Sequence, residues 1–445
     1  IVRIISNLVR KLGAPVGFWL GTRFLIYFDD PNDAEIIINS PNSMDKGGVY
    51  KYVQEMIGGP GLFTSGGDYW KMHRRLLNPT VQNTKILNSF YPTMNKCLRI
   101  LVENLQDKDP NKTINIYDLI EVCTFDMFAK NTFGVDLNIQ TNDENMYVFQ
   151  MVNTALSLVR RKVFEPWCQQ EISFKLTKYY KMWEDSTNGM RAFIQKVLRQ
   201  RIEELNKTGE SEKSDEYEKR LRIFIDEIIQ LSKEQKCFSE DEMISESLTM
   251  LLAGYETSAV TIANVVMMLA MNPEYQERVF EEIQEICPDK YAPVTGEDLN
   301  QLIYTECFIK ETMRLIPTVP FTGRQAKADF YVGKTYVPAG CELVVSLFEI
   351  QRNKKIWGED AEVFNPDHFL PERIENQHAY AFVPFSAGAR NCVGKKYAQN
   401  VVRLFVVWLV RNFKFTTDLK YEDLTFRWMI VMKLGNGYPV KVQTR

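Results

Sequence analysis

The chain has little of what several common functions need. Only three of its 445 residues are histidines, His73, His368 and His378, too few for a multi-histidine metal centre. Its eight cysteines, at 97, 123, 168, 237, 287, 307, 341 and 392, are scattered with no Cys-x-x-Cys pair, a usage that suits a reducing compartment. The 54 basic residues do not outnumber the 57 acidic ones, and the net charge of -3 gives no electrostatic case for nucleic acid. No uninterrupted apolar run reaches the roughly 18 residues of a membrane span. There is no Pro/Gly/Ser-rich linker and no internal repeat, so nothing divides the chain into the three domains of about 150 residues that its length alone would suit. With 45% hydrophobic and 12% aromatic residues it can bury a large core.

What it does have is helical patterning through most of its length, with strands near the two ends. Ile1–Lys11 reads as an amphipathic helix, and Gly17–Thr22 and Arg23–Phe28 as two short strands around a turn. Asp30 is placed to cap a helix running through Ile38. Gly58–Gly67 is a glycine-rich, flexible stretch ahead of the helix that carries Trp70. Periodic segments cover Thr80–Gln106, Asn115–Thr132 and Asn145–Arg161, whereas Asn206–Arg220, charged and poor in apolar residues, reads as a solvated loop. Glu240–Met271 is expected to be one long helix ended by Asn272-Pro273, with Pro273 opening the next. Thr335–Leu347 is β-rich, and Lys395–Asn412 is a final apolar helix. The fold class is mainly α with small β-sheets.

The most specific stretch is Phe385-Ser-Ala-Gly388-Ala-Arg390-Asn-Cys392-Val-Gly394. A free thiol has a pKa of about 8.5 and is mostly protonated at neutral pH. Arg390, two residues ahead, and the N–H groups of a turn eased by Gly388 and Gly394 favour the thiolate. For one cysteine the alternative is a buried structural thiol beside a glycine turn. Five fixed positions, Phe-x-x-Gly-x-Arg-x-Cys-x-Gly, favour a metal ligand instead. A second constellation, Ala253-Gly254-Tyr255-Glu256-Thr257-Ser258, lies in the long helix. Its small residues let the backbone approach a flat ligand closely, while the Thr257 hydroxyl and the Glu256 carboxylate supply a proton donor and a relay to water. A packing glycine beside a surface carboxylate is the competing reading. The third is Glu311-Thr-Met-Arg314, an i, i+3 pair that on a surface is worth about 0–1 kcal/mol.

Together these motifs resemble the cytochrome P450 superfamily, with a haem-ligating cysteine loop and an oxygen-activating helix motif about 135 residues before it. The resemblance runs from about Pro31 to Pro439. Gly59-Pro-Gly-Leu-Phe-Thr-Ser-Gly-Gly-Asp-Tyr, Arg74-Arg75 and Val319-Pro-Phe-Thr-Gly-Arg324 narrow it to the family 4 clan of fatty-acid hydroxylases and their insect relatives. It implies one helical domain over 1–445 and haem b held by the Cys392 thiolate. Trp70, Arg74, Arg324 and Arg390 would face the propionates. Thr257 and Glu256 would deliver protons as one atom of dioxygen enters the substrate and the other leaves as water. Phe385, Gly388 and Gly394 would shape the cysteine loop, and Ala253 and Gly254 would flank the haem. Glu311 and Arg314 would form a buried ion network, but its usual arginine is replaced by His368 in Phe364-Asn-Pro366-Asp-His368-Phe369. Many clan members carry a glutamate before the helix glycine that esterifies a haem methyl. Ala253 stands there in this chain, so the haem is expected to be non-covalent apart from the Fe–S bond.

The resemblance also implies electrons from NADPH through a cytochrome reductase, with cytochrome b5 as a second donor, a monomeric enzyme and an apolar substrate. Animal members carry an N-terminal anchor before the point where this chain begins, so the expectation is a fragment lacking it, from a protein on the cytosolic face of the endoplasmic reticulum membrane. Lys71, Arg75, Lys395 and Lys396 would dock the reductase or simply form a solvated face. Substrate-pocket walls are expected from Tyr50–Thr64, Asn153–Phe164, Leu251–Val260 and Thr318–Thr322. A haem-thiolate isomerase or lyase, and a non-catalytic haem sensor, are the alternative functions. Fatty acids, hormones or terpenoids, and xenobiotics all fit as substrates.

Overall fold

The structure, a computed structural model, describes residues 2–20, 23–211, 222–235, 237–428 and 430–445. They gather into two compact units. Ile1–Gly48, Leu98–Glu121 and Thr257–Arg445 form the first, Val49–Cys97 and Val122–Glu256 the second.

In the first unit a four-stranded sheet has the spatial order Val16–Leu20, Arg23–Phe28, Glu342–Ser346, Phe321–Gln325. Arg23–Phe28 and Glu342–Ser346 run parallel; the other pairings are antiparallel. Leu343, Val345, Ile26 and Phe28 project into a core completed by Ala34, Ile37 and Ile38 of the helix Pro31–Asn39. Asp30 caps that helix as expected, its carboxylate accepting from the Asn32 N–H. The C-terminal helix spans Lys395–Asn412, and its apolar residues are buried from Val401 onward. It packs on the helices Pro273–Ile286 and Ile303–Leu315. Buried Arg411 is accommodated because its guanidinium donates to the carbonyls of Asp289 and Ala292.

The second unit is helical. Met146–Phe164 lies along Lys178–Ser211, and Glu240–Gly254 packs against the latter and against Tyr50–Ile57. Glycine is used here for close approach. A Cβ on Gly61 would stand 2.1 Å from Thr249 Oγ1, and one on Gly59 would stand 2.8 Å from Ser245 Oγ. The glycine-rich segment expected to be flexible is therefore seated tightly on the Glu240–Gly254 helix.

Several expectations change. Glu240–Met271 is two helices, Glu240–Gly254 and Glu256–Met271, broken at Tyr255. By length and composition that run could cross a membrane, but 83% of its most apolar stretch is buried inside the protein. The helix Lys178–Ser211 continues through residues 206–211, where a loop is expected; the remainder of that expected loop, residues 212–220, lies outside the described residues. Thr80–Gln106 resolves into the end of Gly67–Val81 followed by Thr84–Ser89 and Tyr91–Gln106. Asn83 interrupts it, its side chain capping the middle helix through the N–H groups of Lys85 and Ile86.

Gly254 is tightly packed, because an added Cβ would fall 1.9 Å from Phe128 Cε2. Gly254→Ala is expected to lower stability by about 1–3 kcal/mol through overpacking. Thermal denaturation should show the loss, and a compensating Phe128→Leu should recover part of it.

Candidate functional site

The Cys392 loop is folded by its own backbone. The Ser386 N–H donates to the Val383 carbonyl (2.8 Å), and the Cys392 N–H to the Phe385 carbonyl (2.9 Å). Closing so short a loop puts Ser386 at φ 57° and Gly388 at φ 63°. Glycine is needed at 388 for a second reason: a Cβ there would meet Asn39 Oδ1 at 2.8 Å and the Ile38 carbonyl at 3.1 Å. Gly394 has an ordinary φ of -87° and is the N-cap of Lys395–Asn412. A side chain on it would have Cys392 Sγ as its nearest neighbour, at 4.0 Å. The sulfur thus stands two residues before a helix N-terminus, where the dipole favours an anion. Of the eight cysteines only Cys392 is exposed. Burial pushes up the thiols of Cys97, to about 12, and of Cys123, Cys307 and Cys341.

Behind this loop three cations are drawn together. Arg324 lies on the strand Phe321–Gln325, its guanidinium donating to Thr322 Oγ1 (2.9 Å) and the Gly323 carbonyl (3.0 Å). Arg390 Nε donates to the Met44 carbonyl (3.0 Å). A β-bridge between Asp45 and Gln325, with the Gln325 N–H on the Asp45 carbonyl (2.9 Å), sews the Met44–Lys46 segment beside that strand. Lys46 is thereby desolvated beside Arg324 and Arg390; burial first, then those two charges, hold its ammonium well below the usual lysine range. Lys46 was not among the expected site residues. It carries no local motif, and only a pairing across almost 300 residues of sequence reveals it.

Glu311 and Arg314 are fully buried and paired through two contacts, Nε–Oε2 at 2.7 Å and Nη2–Oε1 at 2.8 Å. Arg314 also donates to the carbonyls of Gln351 (2.7 Å), Ala361 (2.6 Å) and Val363 (3.3 Å). His368 occupies the corner left by the missing arginine. Its Nδ1 is 3.1 Å from Glu311 Oε1 and its Nε2 3.2 Å from Asp360 Oδ2. One neutral ring can donate to only one of these carboxylates, whereas the doubly protonated ring donates to both. Burial alone would raise the Glu311 carboxyl, but hydrogen bonds from Arg314, His368 and the Asn365 N–H hold it below the ordinary value.

The helix motif divides between the units. On the second, Ala253 is exposed and Gly254 partly so, within a helix otherwise buried from Met243 onward. Tyr255 marks the break, held by its hydroxyl donating to Asn153 Oδ1 (2.8 Å) and by edge contact with Phe125 (4.9 Å). Glu256 is buried, 4% exposed, and so is not a surface carboxylate. On the first unit Thr257 is again partly exposed, and its carbonyl accepts from Thr261 Oγ1 (2.8 Å).

Trp70 and Arg74 are one turn apart on the second-unit helix Gly67–Val81, Trp70 buried and Arg74 partly so. Between them, His73 is fully buried, with Nδ1 2.7 Å from Glu246 Oε1. Glu246 accepts in addition from the Leu62 N–H (2.9 Å). This pair too went unforeseen: its partners are 173 positions apart, and each alone reads as an ordinary helix residue. Lys71, Arg75, Lys395 and Lys396 are all exposed.

A family model described as Cytochrome P450 matches residues 1–441. "Probable cytochrome P450 313a4" of Drosophila melanogaster is 31% identical over 437 residues, 98% of this chain and 87% of that protein. "Cytochrome P450 4c3" of the same organism is 31% identical over 438 residues, covering 96% and 81%. Human "Cytochrome P450 4V2" is 29% identical over 432 residues, covering 96% and 82%.

Because Glu311 sits below its unfolded value, its contribution is present above the ordinary carboxylate range and is lost as the pH falls through its folded value. Glu311→Gln strands a buried guanidinium and is expected to cost about 3–5 kcal/mol at neutral pH. Denaturation midpoints of the variant and the parent should converge as the pH drops below that range.

Proposed function

We propose a division of labour among named residues for a chain that belongs to the cytochrome P450 family. The protein is a haem-thiolate monooxygenase with the mainly α fold of that family, and its cofactor is haem ligated by a cysteine thiolate. The donor set fits that group: one exposed thiol at a helix N-terminus, and Lys46, Arg324 and Arg390 gathered where carboxylates such as the propionates need donors. When bound, haem supplies the redox chemistry that splits dioxygen and inserts one oxygen atom into substrate.

Cys392 would hold the haem iron as a thiolate, a form that Arg390 and the helix N-terminus after it favour. On the first unit Lys46, Arg324 and Arg390 would offer donors to the propionates, and Trp70 and Arg74 are the donors proposed on the second. Ala253 and Gly254 keep side chains off the opened stretch of helix. The Thr257 hydroxyl would hold a proton for transfer, and the buried Glu256 carboxylate would relay protons to it. Phe385, Gly388 and Gly394 shape the cysteine loop, and Glu311, Arg314 and His368 brace it from behind. The observation that carries this reading is that Cys392 alone of eight thiols is exposed, in a loop its own N–H closes.

NADPH supplies electrons through a reductase, the usual arrangement in the family. Exposed Lys71, Arg75, Lys395 and Lys396 are the docking charges in this reading. Cytochrome b5 as second donor, a monomer acting as one domain over 1–445, a seat on the cytosolic face of the endoplasmic reticulum membrane, and an apolar substrate among fatty acids, hormones or terpenoids, and xenobiotics complete it.

Cys392→Ser is expected to abolish the thiolate signature in the carbon monoxide difference spectrum and NADPH-dependent oxygenation with it; product formed at an undiminished rate would refute the assignment. Ala253 has no carboxylate to esterify, so acidified solvent should strip haem from enzyme that has turned over. Haem left on the polypeptide would show a covalent link.

A further inference from the structure

We infer that the buried His73–Glu246 pair is a positioning device for the haem: it fixes the helix turn carrying Trp70 and Arg74 against the helix carrying Ala253. The two residues are 0% exposed and 2.7 Å apart. Glu246 uses its other oxygen on the Leu62 N–H (2.9 Å), so one carboxylate holds both the Gly67–Val81 helix and the segment that precedes it.

The placement of these residues gives the pair its function. His73 stands three positions after Trp70 and one before Arg74, within a single turn, so pinning its ring fixes both the rotation and the axial level of those two side chains. Glu246 stands seven positions before Ala253, close to two full turns, so both project from nearly the same helix face about 10.5 Å apart. The ring is sandwiched as well. Tyr69 covers one side at 3.9 Å and Phe238 meets it edge-on at 4.7 Å. His73 Nε2 faces Glu242 at 3.9 Å without a hydrogen bond. A pair meant only for stability needs no such register. Apolar residues of similar volume would fill the space at least as well.

The inference rests on the reading that Trp70 and Arg74 seat the haem. Its test is the rate at which haem leaves the folded holoenzyme, followed by transfer to excess apomyoglobin, together with the absorption spectrum. His73→Ala is expected to speed haem loss about 10- to 100-fold, the range typical of removing a group that orients ligands. His73→Asn places an amide N–H where Nδ1 stands and should restore most of the retention. Arg201→Ala serves as the structural control. It breaks the part-buried Arg201–Asp226 pair elsewhere in the same unit and should lower the melting temperature while leaving haem loss unchanged. Equal haem loss from Arg201→Ala and His73→Ala, or failure of His73→Asn to rescue, overturns the inference. Arg74→Ala separates it from its premise. If Arg74→Ala retains haem like the parent, the propionate reading has failed. If Arg74→Ala loses haem and His73→Ala does not, the positioning role alone has failed.

Discussion

A guanidinium sealed from water organises the first unit. Arg314 has no solvent to turn to, so every donor must find an oxygen inside the protein. It finds Glu311 one turn back, and the carbonyls of Gln351, Ala361 and Val363 beyond it. These acceptors lie on irregular backbone that no helix or sheet would otherwise hold. The apolar cluster of Cys307, Trp357, Ala361, Phe369 and Ala381 packs in the same part of the unit, and Trp357 presents its ring face to the Arg314 guanidinium at 4.8 Å. A charge that is costly to bury thus specifies the path of a segment with little regular structure, which precedes the cysteine loop in sequence.

The same economy of backbone appears at the cysteine. The loop Phe385–Gly394 adopts two left-handed residues and lies hard against Ile38 and Asn39. The Cys392 thiol is exposed and stands two residues before a helix N-terminus. Three cations of the same unit come from three segments of sequence: the Asp45–Gln325 bridge brings Lys46 to the strand of Arg324, and Arg390 joins from the cysteine loop through the Met44 carbonyl.

How much of this the sequence discloses depends on the range of the interactions. Local signals read well: the Asp30 cap, Pro273 at a helix start, and the span Lys395–Asn412 all depend on neighbours in sequence. The cysteine loop is legible for the same reason, since its hydrogen bonds close within ten residues. The break at Tyr255 is set by Asn153 and Phe125, on helices distant in sequence, and locally only Gly254 gives room for an opening. Charge misleads at 206–211, where a helix outlasts its apolar face. Lys46 and the His73–Glu246 pair lie beyond any window of sequence, because their meaning exists only after strands and helices have met.

The anchoring of Tyr255 has a mechanical consequence. Its hydroxyl is tied to Asn153, in the middle of the helix Met146–Phe164, while its backbone is the joint at which one long helix becomes two. Any shift of that helix pulls on the joint through the 2.8 Å hydrogen bond and the Phe149 ring packed on Tyr255. The joint is immediately followed by Glu256 and Thr257. A displacement of that helix would therefore reach the backbone of Glu256 and Thr257, so that movement on one side of the phenol is felt at the start of the next helix.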